Sequence, residues 1–230
     1  QLYEYVKKND PELYEKIKVR IQEGRFEPEG AMWLESDTNL VSGESLIRQS
    51  LYGKKFMKEE FGAENHVLWL PDVFGYSAAL PQILKKCGID TFVTSKIHWS
   101  ETNKFPYDTF IWRGVDGSEI FTQFITAGTI GSVLGSDDTY STYNSMLSPL
   151  SLAKGWDIYK QKSINNNILV SFGYGDGGGG VTREMLERNR RISCGVPSVP
   201  KSQITTMTEA IENIKKAING KKLPKWVGEL

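Results

Sequence analysis

His66-Val67-Leu68-Trp69-Leu70 is a short apolar run, and Pro71-Asp72-Val73-Phe74-Gly75-Tyr76 follows it directly. A run of this length bounded by proline and glycine reads as a buried strand ending in a tight turn. Ser77 through Lys86 then carries a helical pattern, closed at Gly88. A second segment is built alike. Ile168-Leu169-Val170-Ser171-Phe172 reads as another short strand, Gly173-Tyr174-Gly175-Asp176 opens a glycine run through Gly180, and a helix follows from Thr182 to Arg191. Strand, aspartate-bearing turn and helix, occurring twice, predict an α/β fold with parallel strands. In such folds the chemistry lies beyond the carboxyl ends of the strands, so Asp72 and Asp176 are expected at one end of one sheet.

The rest of the chain agrees with alternating elements. Leu2–Lys8 and Pro11–Gln22 read as helices, the second with Asp10 as N-cap and Pro11 in its first turn. Phe26–Leu34 reads as extended around Gly30, and Ser42 caps a long amphipathic helix that closes near Gly62. Thr91–Thr94 is a strand, and Thr109–Arg113 and Glu119–Phe124 flank the hairpin signal Asp116-Gly117. Asp137–Ser151 reads as a long polar loop, Leu152–Gln161 and Met207–Asn219 as helices, and Trp226 to Leu230 as the start of a strand.

Lys plus Arg and Asp plus Glu each number 28, so the net charge is zero and no basic face points to nucleic acid or an anionic membrane. No apolar run reaches the ~18 residues of a membrane span. Two cysteines, Cys87 and Cys194, make neither a disulfide framework nor a paired metal motif, and a reducing, cytoplasmic setting is the default. Aromatic residues reach 11%, which suits stacking on sugar faces and core filling alike. Both ends look cut, so a central piece of a larger domain is expected.

An aspartate in a tight turn after a buried strand can act as nucleophile, acid/base or metal ligand, because burial and neighbours tune it. The plainer role is a turn or helix cap. Gly173 to Gly178 match G-x-G-x-x-G, the dinucleotide fingerprint, but Asp176 inside the loop would repel a pyrophosphate and Ser193–Lys201 lacks the acidic partner. Glycines around an acid better suit a backbone leaving room for a bulky ligand. His66 and His98 show no metal spacing and read as structural or surface residues; Glu35-Ser36-Asp37 could line a pocket or serve a turn.

Trp69-Leu70-Pro71-Asp72-Val73-Phe74-Gly75-Tyr76-Ser77 with Leu80-Pro81-Gln82 resembles the nucleophile segment of glycoside hydrolase family 38, the class II α-mannosidases. Gly30-Ala31-Met32-Trp33-Leu34-Glu35, Ser42-Gly43-Glu44-Ser45-Leu46, Asn103-Lys104-Phe105-Pro106, Phe110-Ile111-Trp112 and Asp116-Gly117-Ser118 resemble flanking stretches in the same order. The glycine run with Thr182-Arg183 is similar to the cytosolic and bacterial branch. The resemblance implies an irregular α/β barrel, incomplete here, and retaining, zinc-assisted cleavage of terminal α-linked mannose from mannose-containing oligosaccharides. It implies Asp72 as nucleophile and zinc ligand, Asp176 as general acid/base, and Phe74 and Lys96 near the sugar. The remaining zinc ligands, a His-x-Asp pair and a later histidine, would fall before Gln1 and after Leu230, so residues 1–230 are expected to be inactive alone.

The sequence departs from the family at Gln123, where a histidine is usual, and along Thr126–Gly131. Nucleic acid and membranes are not expected as partners, and a homo-oligomer is left open. Two other classes compete: a sugar- or nucleotide-binding module without chemistry, and a deacetylase-like barrel, which would need a histidine pair that is missing here.

Overall fold

A computed structural model describes residues 1–100, 102–128 and 140–230. The element order is α1 (Leu2–Asn9), α2 (Pro11–Gln22), α3 (Gly43–Phe61), β1 (Val67–Trp69), α4 (Leu80–Lys86), β2 (Thr91–Thr94), β3 (Thr109–Arg113), β4 (Glu119–Phe124), α5 (Pro149–Ile158), α6 (Arg183–Ile192), α7 (Met207–Ile218) and β5 (Lys225–Val227). A 3-10 turn, Lys96–Trp99, follows β2.

The strands form a five-stranded sheet in the order β1-β2-β4-β3-β5. It is mixed α/β and mostly parallel: β1 with β2, β2 with β4 and β3 with β5 run parallel, and only the β3–β4 hairpin is antiparallel. Strands with helices on both faces must bury both sides, and period-2 alternation does this. Leu68, Phe92, Phe110, Trp112, Ile120 and Phe124 point into one core, capped by Leu46 of α3 and Leu80 and Leu84 of α4. Val67, Val93, Phe121 and Ile125 point the other way, against Ile211, Ile214 and Ile218 of α7. A third, smaller core joins Leu152 of α5 to Met185 and Ile192 of α6.

Side-chain caps set these helix starts, at Asp10 and Ser42 as expected and at Thr182, which the sequence places inside its helix. Asp10 accepts from Leu13 N at 3.0 Å, Ser42 from Ser45 N at 3.2 Å and Thr182 from Met185 N at 3.2 Å. Four elements differ from the sequence reading by more than a residue or two at an end. α4 begins at Leu80 rather than Ser77, where the Ser77 hydroxyl binds Ala79 N in a local turn. α5 runs Pro149–Ile158 rather than Leu152–Gln161, because Ser148 and Ser151 form a capping box at its start. Ile168–Phe172 is no regular strand. Leu169 bridges Ile125 while Phe172 bridges Ser145, so its partner changes before a ladder can form. Phe26–Leu34 contributes a single bridge, Gly30 with Leu68, and the chain then bends where Ala31 takes a left-handed φ of 62°. Of the loop read over Asp137–Ser151, residues 137–139 lie outside the described residues.

That bend is packed against α3 at Gly53. A Cβ there would lie 2.4 Å from the Ala31 carbonyl oxygen and 2.5 Å from Met32 C, which no relaxed contact allows. Alanine gains about 1 kcal/mol in helix propensity over glycine, whereas overpacking costs about 1–3 kcal/mol. Because the clash is with backbone, the cost falls at the upper end of that range, and Gly53→Ala should lower stability by roughly 1–2 kcal/mol, read from the urea midpoint of the intact protein. An unchanged or raised midpoint would contradict this packing.

Candidate active site

Beyond the carboxyl ends of β1, β2 and β4 lies a cavity of about 590 Å³. Its lining includes Asp72, Phe74, Lys96, Trp99, Tyr143, Tyr174 and Asp176. All four residues singled out from the sequence (Asp72, Phe74, Lys96 and Asp176) thus meet in one place.

Two adjacent strand ends hold the first part. The turn after β1 presents Asp72, whose backbone N donates to Glu35 Oε1 at 2.9 Å. Glu35 therefore serves this turn from outside the cavity lining. The turn after β2 presents Lys96, which lies beside Asp72 because β1 and β2 are paired in parallel register. Lys96 Nζ is 2.5 Å from Asp72 Oδ1, an ion pair between partly buried side chains. The same ammonium stands 4.6 Å from the centre of the Phe74 ring and 4.8 Å from that of Trp99, within cation–π range. One cation is thus held by a carboxylate and two ring faces, while Phe74 remains largely exposed to the cavity mouth.

His98 lies on the same 3-10 turn but faces inward, with Nε2 2.6 Å from Asp108 Oδ1. Asp108 is buried and also accepts from Lys160 N at 2.7 Å. This pair braces the turn from behind, the structural role expected of His98. His66 is exposed.

The second carboxylate comes from the glycine loop. Paired backbone bonds between Tyr174 and Gly180, at 2.7 and 2.8 Å, close the neck of that loop. Asp176 stands at its tip with a left-handed φ of 56°. Tyr143 Oη donates to Asp176 Oδ1 at 2.5 Å. Burial, the bond to Asp176 and the charge of Asp72 push the Tyr143 phenol far above its ordinary range, so it stays a donor. The dinucleotide reading loses its geometry here. α6 begins only at Arg183, beyond the glycines, and Asp176 lines the cavity.

Tyr143, Trp99 and Tyr174 were not found from the sequence. Tyr143 lies in a polar stretch without periodicity, and only the enclosing aromatic content hinted at a ring. Gln123, where the family resemblance expects histidine, is buried away from the cavity, accepting from Thr109 Oγ1 at 2.8 Å and donating to the Phe124 carbonyl at 2.8 Å. Of the divergent stretch Thr126–Gly131, Gly128 lines the cavity and residues 129–131 lie outside the described residues.

Residues 1–229 match the family described as glycosyl hydrolases family 38 N-terminal domain, and the chain belongs to that family. It is 41% identical to Alpha-mannosidase G of Dictyostelium discoideum over its whole length, covering 20% of that protein. It is 39% identical to Alpha-mannosidase 2C1 of Homo sapiens, again over its whole length and 21% of the relative. The chain therefore spans about a fifth of the length of these curated relatives. Among solved structures, an alpha-mannosidase from Enterococcus faecalis superposes with a TM-score of 0.70 at 18% identity, over 100% of this chain and 24% of that one. A 4-alpha-glucanotransferase from Thermococcus litoralis gives 0.58 at 16% identity, over 98% and 33%. At these identities the structural likeness speaks for the fold.

The family resemblance also implies zinc. Asp72 Oδ1 is buried without a hydrogen-bond partner, the kind of oxygen a cation could take, but Lys96 stands against that same oxygen. Among the described residues no group of three His, Cys, Asp or Glu could hold a metal. A zinc centre takes three protein ligands or more, so these residues do not make one up. The 230-residue chain alone should bind zinc more weakly than ~1 µM, as measured by calorimetry. Sub-micromolar affinity would show that the ligands have been misassigned.

Proposed function

We propose that residues 1–230 are the central part of the catalytic domain of a retaining α-mannosidase that removes terminal α-linked mannose from mannose-containing oligosaccharides. The observation that carries this reading is the meeting of Asp72 and Asp176, from two separate loops, in one aromatic-walled cavity. A retaining glycosidase needs two carboxyl groups about 5–5.5 Å apart, one nucleophile and one acid/base. The names of the relatives support mannose as the sugar.

In this reading Asp72, gripped by Lys96 on Oδ1 and fixed through its backbone by Glu35, attacks the anomeric carbon. As the glycosidic C–O bond breaks, the Asp176 carboxyl passes its proton to the departing oxygen. The product is a glycosyl ester on Asp72. Asp176, now a carboxylate, takes a proton from water; the water oxygen attacks the anomeric carbon, and the ester bond to Asp72 breaks. Two inversions at one carbon give net retention. Asp176 belongs at the tip of an open loop because it must meet first a sugar oxygen and then water. Phe74, two residues on from Asp72 in the cavity lining, offers an exposed ring to the apolar face of the sugar.

Zinc in the complete domain would take Asp72 as one ligand and supply Lewis acidity toward sugar hydroxyls, the other ligands lying outside these residues. A cytoplasmic setting is part of the proposal; it rests on two free cysteines and on likeness to the cytosolic branch. Among the described residues no helix is long and apolar enough to cross a membrane.

Replacing Asp72 by asparagine keeps size and turn chemistry but removes the nucleophile. In the intact enzyme Asp72→Asn should lower kcat by roughly 10⁴-fold or more while leaving the thermal unfolding temperature within a few degrees. Turnover within tenfold of the unaltered enzyme would remove Asp72 from this role.

A further inference from the structure

Between the two carboxylates stands a residue that the mechanism above does not use. We infer that Tyr143 is a positioning residue for Asp176: its phenol holds Oδ1 of that carboxyl and leaves Oδ2 to face the departing oxygen. This rests on the retaining reading and on Asp176 as its acid/base.

Asp176 has little else to aim it. It sits in a left-handed backbone conformation that a non-glycine residue adopts at a cost, with glycine on both sides and an exposed loop tip around it. The backbone bonds between Tyr174 and Gly180 fix the neck of the loop and leave its side-chain direction open. The hydrogen bond from Tyr143, at 2.5 Å, is the contact that sets that direction, and no other described residue hydrogen-bonds the carboxyl. A bond to one oxygen of a carboxyl turns the other to a defined side.

The segment carrying Tyr143 is itself hydrogen-bonded to the continuation of β4. Thr142 N donates to the Ala127 carbonyl at 3.1 Å, and the Ser141 hydroxyl ties Ile125 O and Ala127 N together at 2.6 and 2.9 Å. Trp99 Nε1 donates to Ser141 O at 2.7 Å, linking this segment to the turn that carries Lys96. The tyrosine ring lies against Gly175, where a Cβ would come within 3.0 Å of Cε2, so the loop docks on the ring through bare backbone. A donor held beside a strand end and aimed at a carboxyl on a loop is a preorganising device.

Tyr143→Phe keeps the ring and removes only the donor. In the full-length enzyme, kcat/KM would be measured on methyl α-mannoside, whose departing oxygen needs a proton, and on 2,4-dinitrophenyl α-mannoside, whose phenolate leaves without one. Asp176→Ala would be measured beside it. The variant Tyr143→Phe should lose roughly 10- to 100-fold on the methyl glycoside and less than about threefold on the dinitrophenyl glycoside. Asp176→Ala should show the same contrast, more strongly. Equal losses on both substrates for Tyr143→Phe, or none on either, with Asp176→Ala still discriminating, would overturn the positioning role alone. Absence of the contrast in Asp176→Ala would overturn the acid/base reading, and the proposal with it.

Discussion

The carbonyl of Pro71 joins two strand ends. It accepts from Ser95 Oγ at 2.7 Å and from Ser95 N at 3.4 Å, while Tyr76 Oη reaches Leu70 O at 2.7 Å and Thr94 Oγ1 at 2.6 Å. These bonds continue the parallel β1–β2 pairing past the last ladder residues. They are buried, and a buried polar group left unpaired costs about 1–3 kcal/mol, so the two turns are locked as a unit. Asp72 follows Pro71 and Lys96 follows Ser95. Their ion pair depends on this lock, and Phe74 and Trp99 take their places around Lys96 from the same two turns.

The rest of the fold supports that junction from both sides. Tyr76, Phe92 and Trp112 stack edge-on or tilted beneath the two turns, at 4.8 and 5.4 Å between ring centres. At the same end of the sheet, β4 runs on through Ile125 to Gly128, bringing Ser141–Asn144 and the glycine loop over the cavity. The site therefore combines a half carried on paired, hydrogen-bonded strand ends, which holds the nucleophile, and a half carried on a loop, which holds the second carboxyl. That division suits the chemistry, because one carboxyl must stay fixed at the anomeric carbon while the other meets two partners in turn.

Much of this could be read from residues in sequence. Asp72 and Asp176 stood out because each follows a short apolar run and precedes a helix, a local signal carried within about ten residues. Asp10, Ser42 and Thr182 announced helix starts for the same local reason. What stayed hidden depends on partners far along the chain. Tyr143 meets Asp176 across 33 residues and Trp99 meets Ser141 across 42, through a polar segment with no periodicity. Ile168–Phe172 reads as a strand because its composition is apolar, yet its neighbours are two different segments and no ladder forms. Gln123 departs from the family pattern at a position whose side chain is tied into the buried Thr109–Tyr159 network, which no local pattern reveals.

The central step is formation of a covalent bond between sugar and Asp72, and that bond can be trapped. A fluorinated mannosyl fluoride slows release of a glycosyl-enzyme more than its formation, so the intermediate accumulates and survives digestion. Mass spectrometry of the full-length enzyme treated in this way should find the added sugar on the peptide spanning Trp69 to Ser77, at Asp72. A label on another residue, or turnover with inverted product and no label at all, would contradict the account.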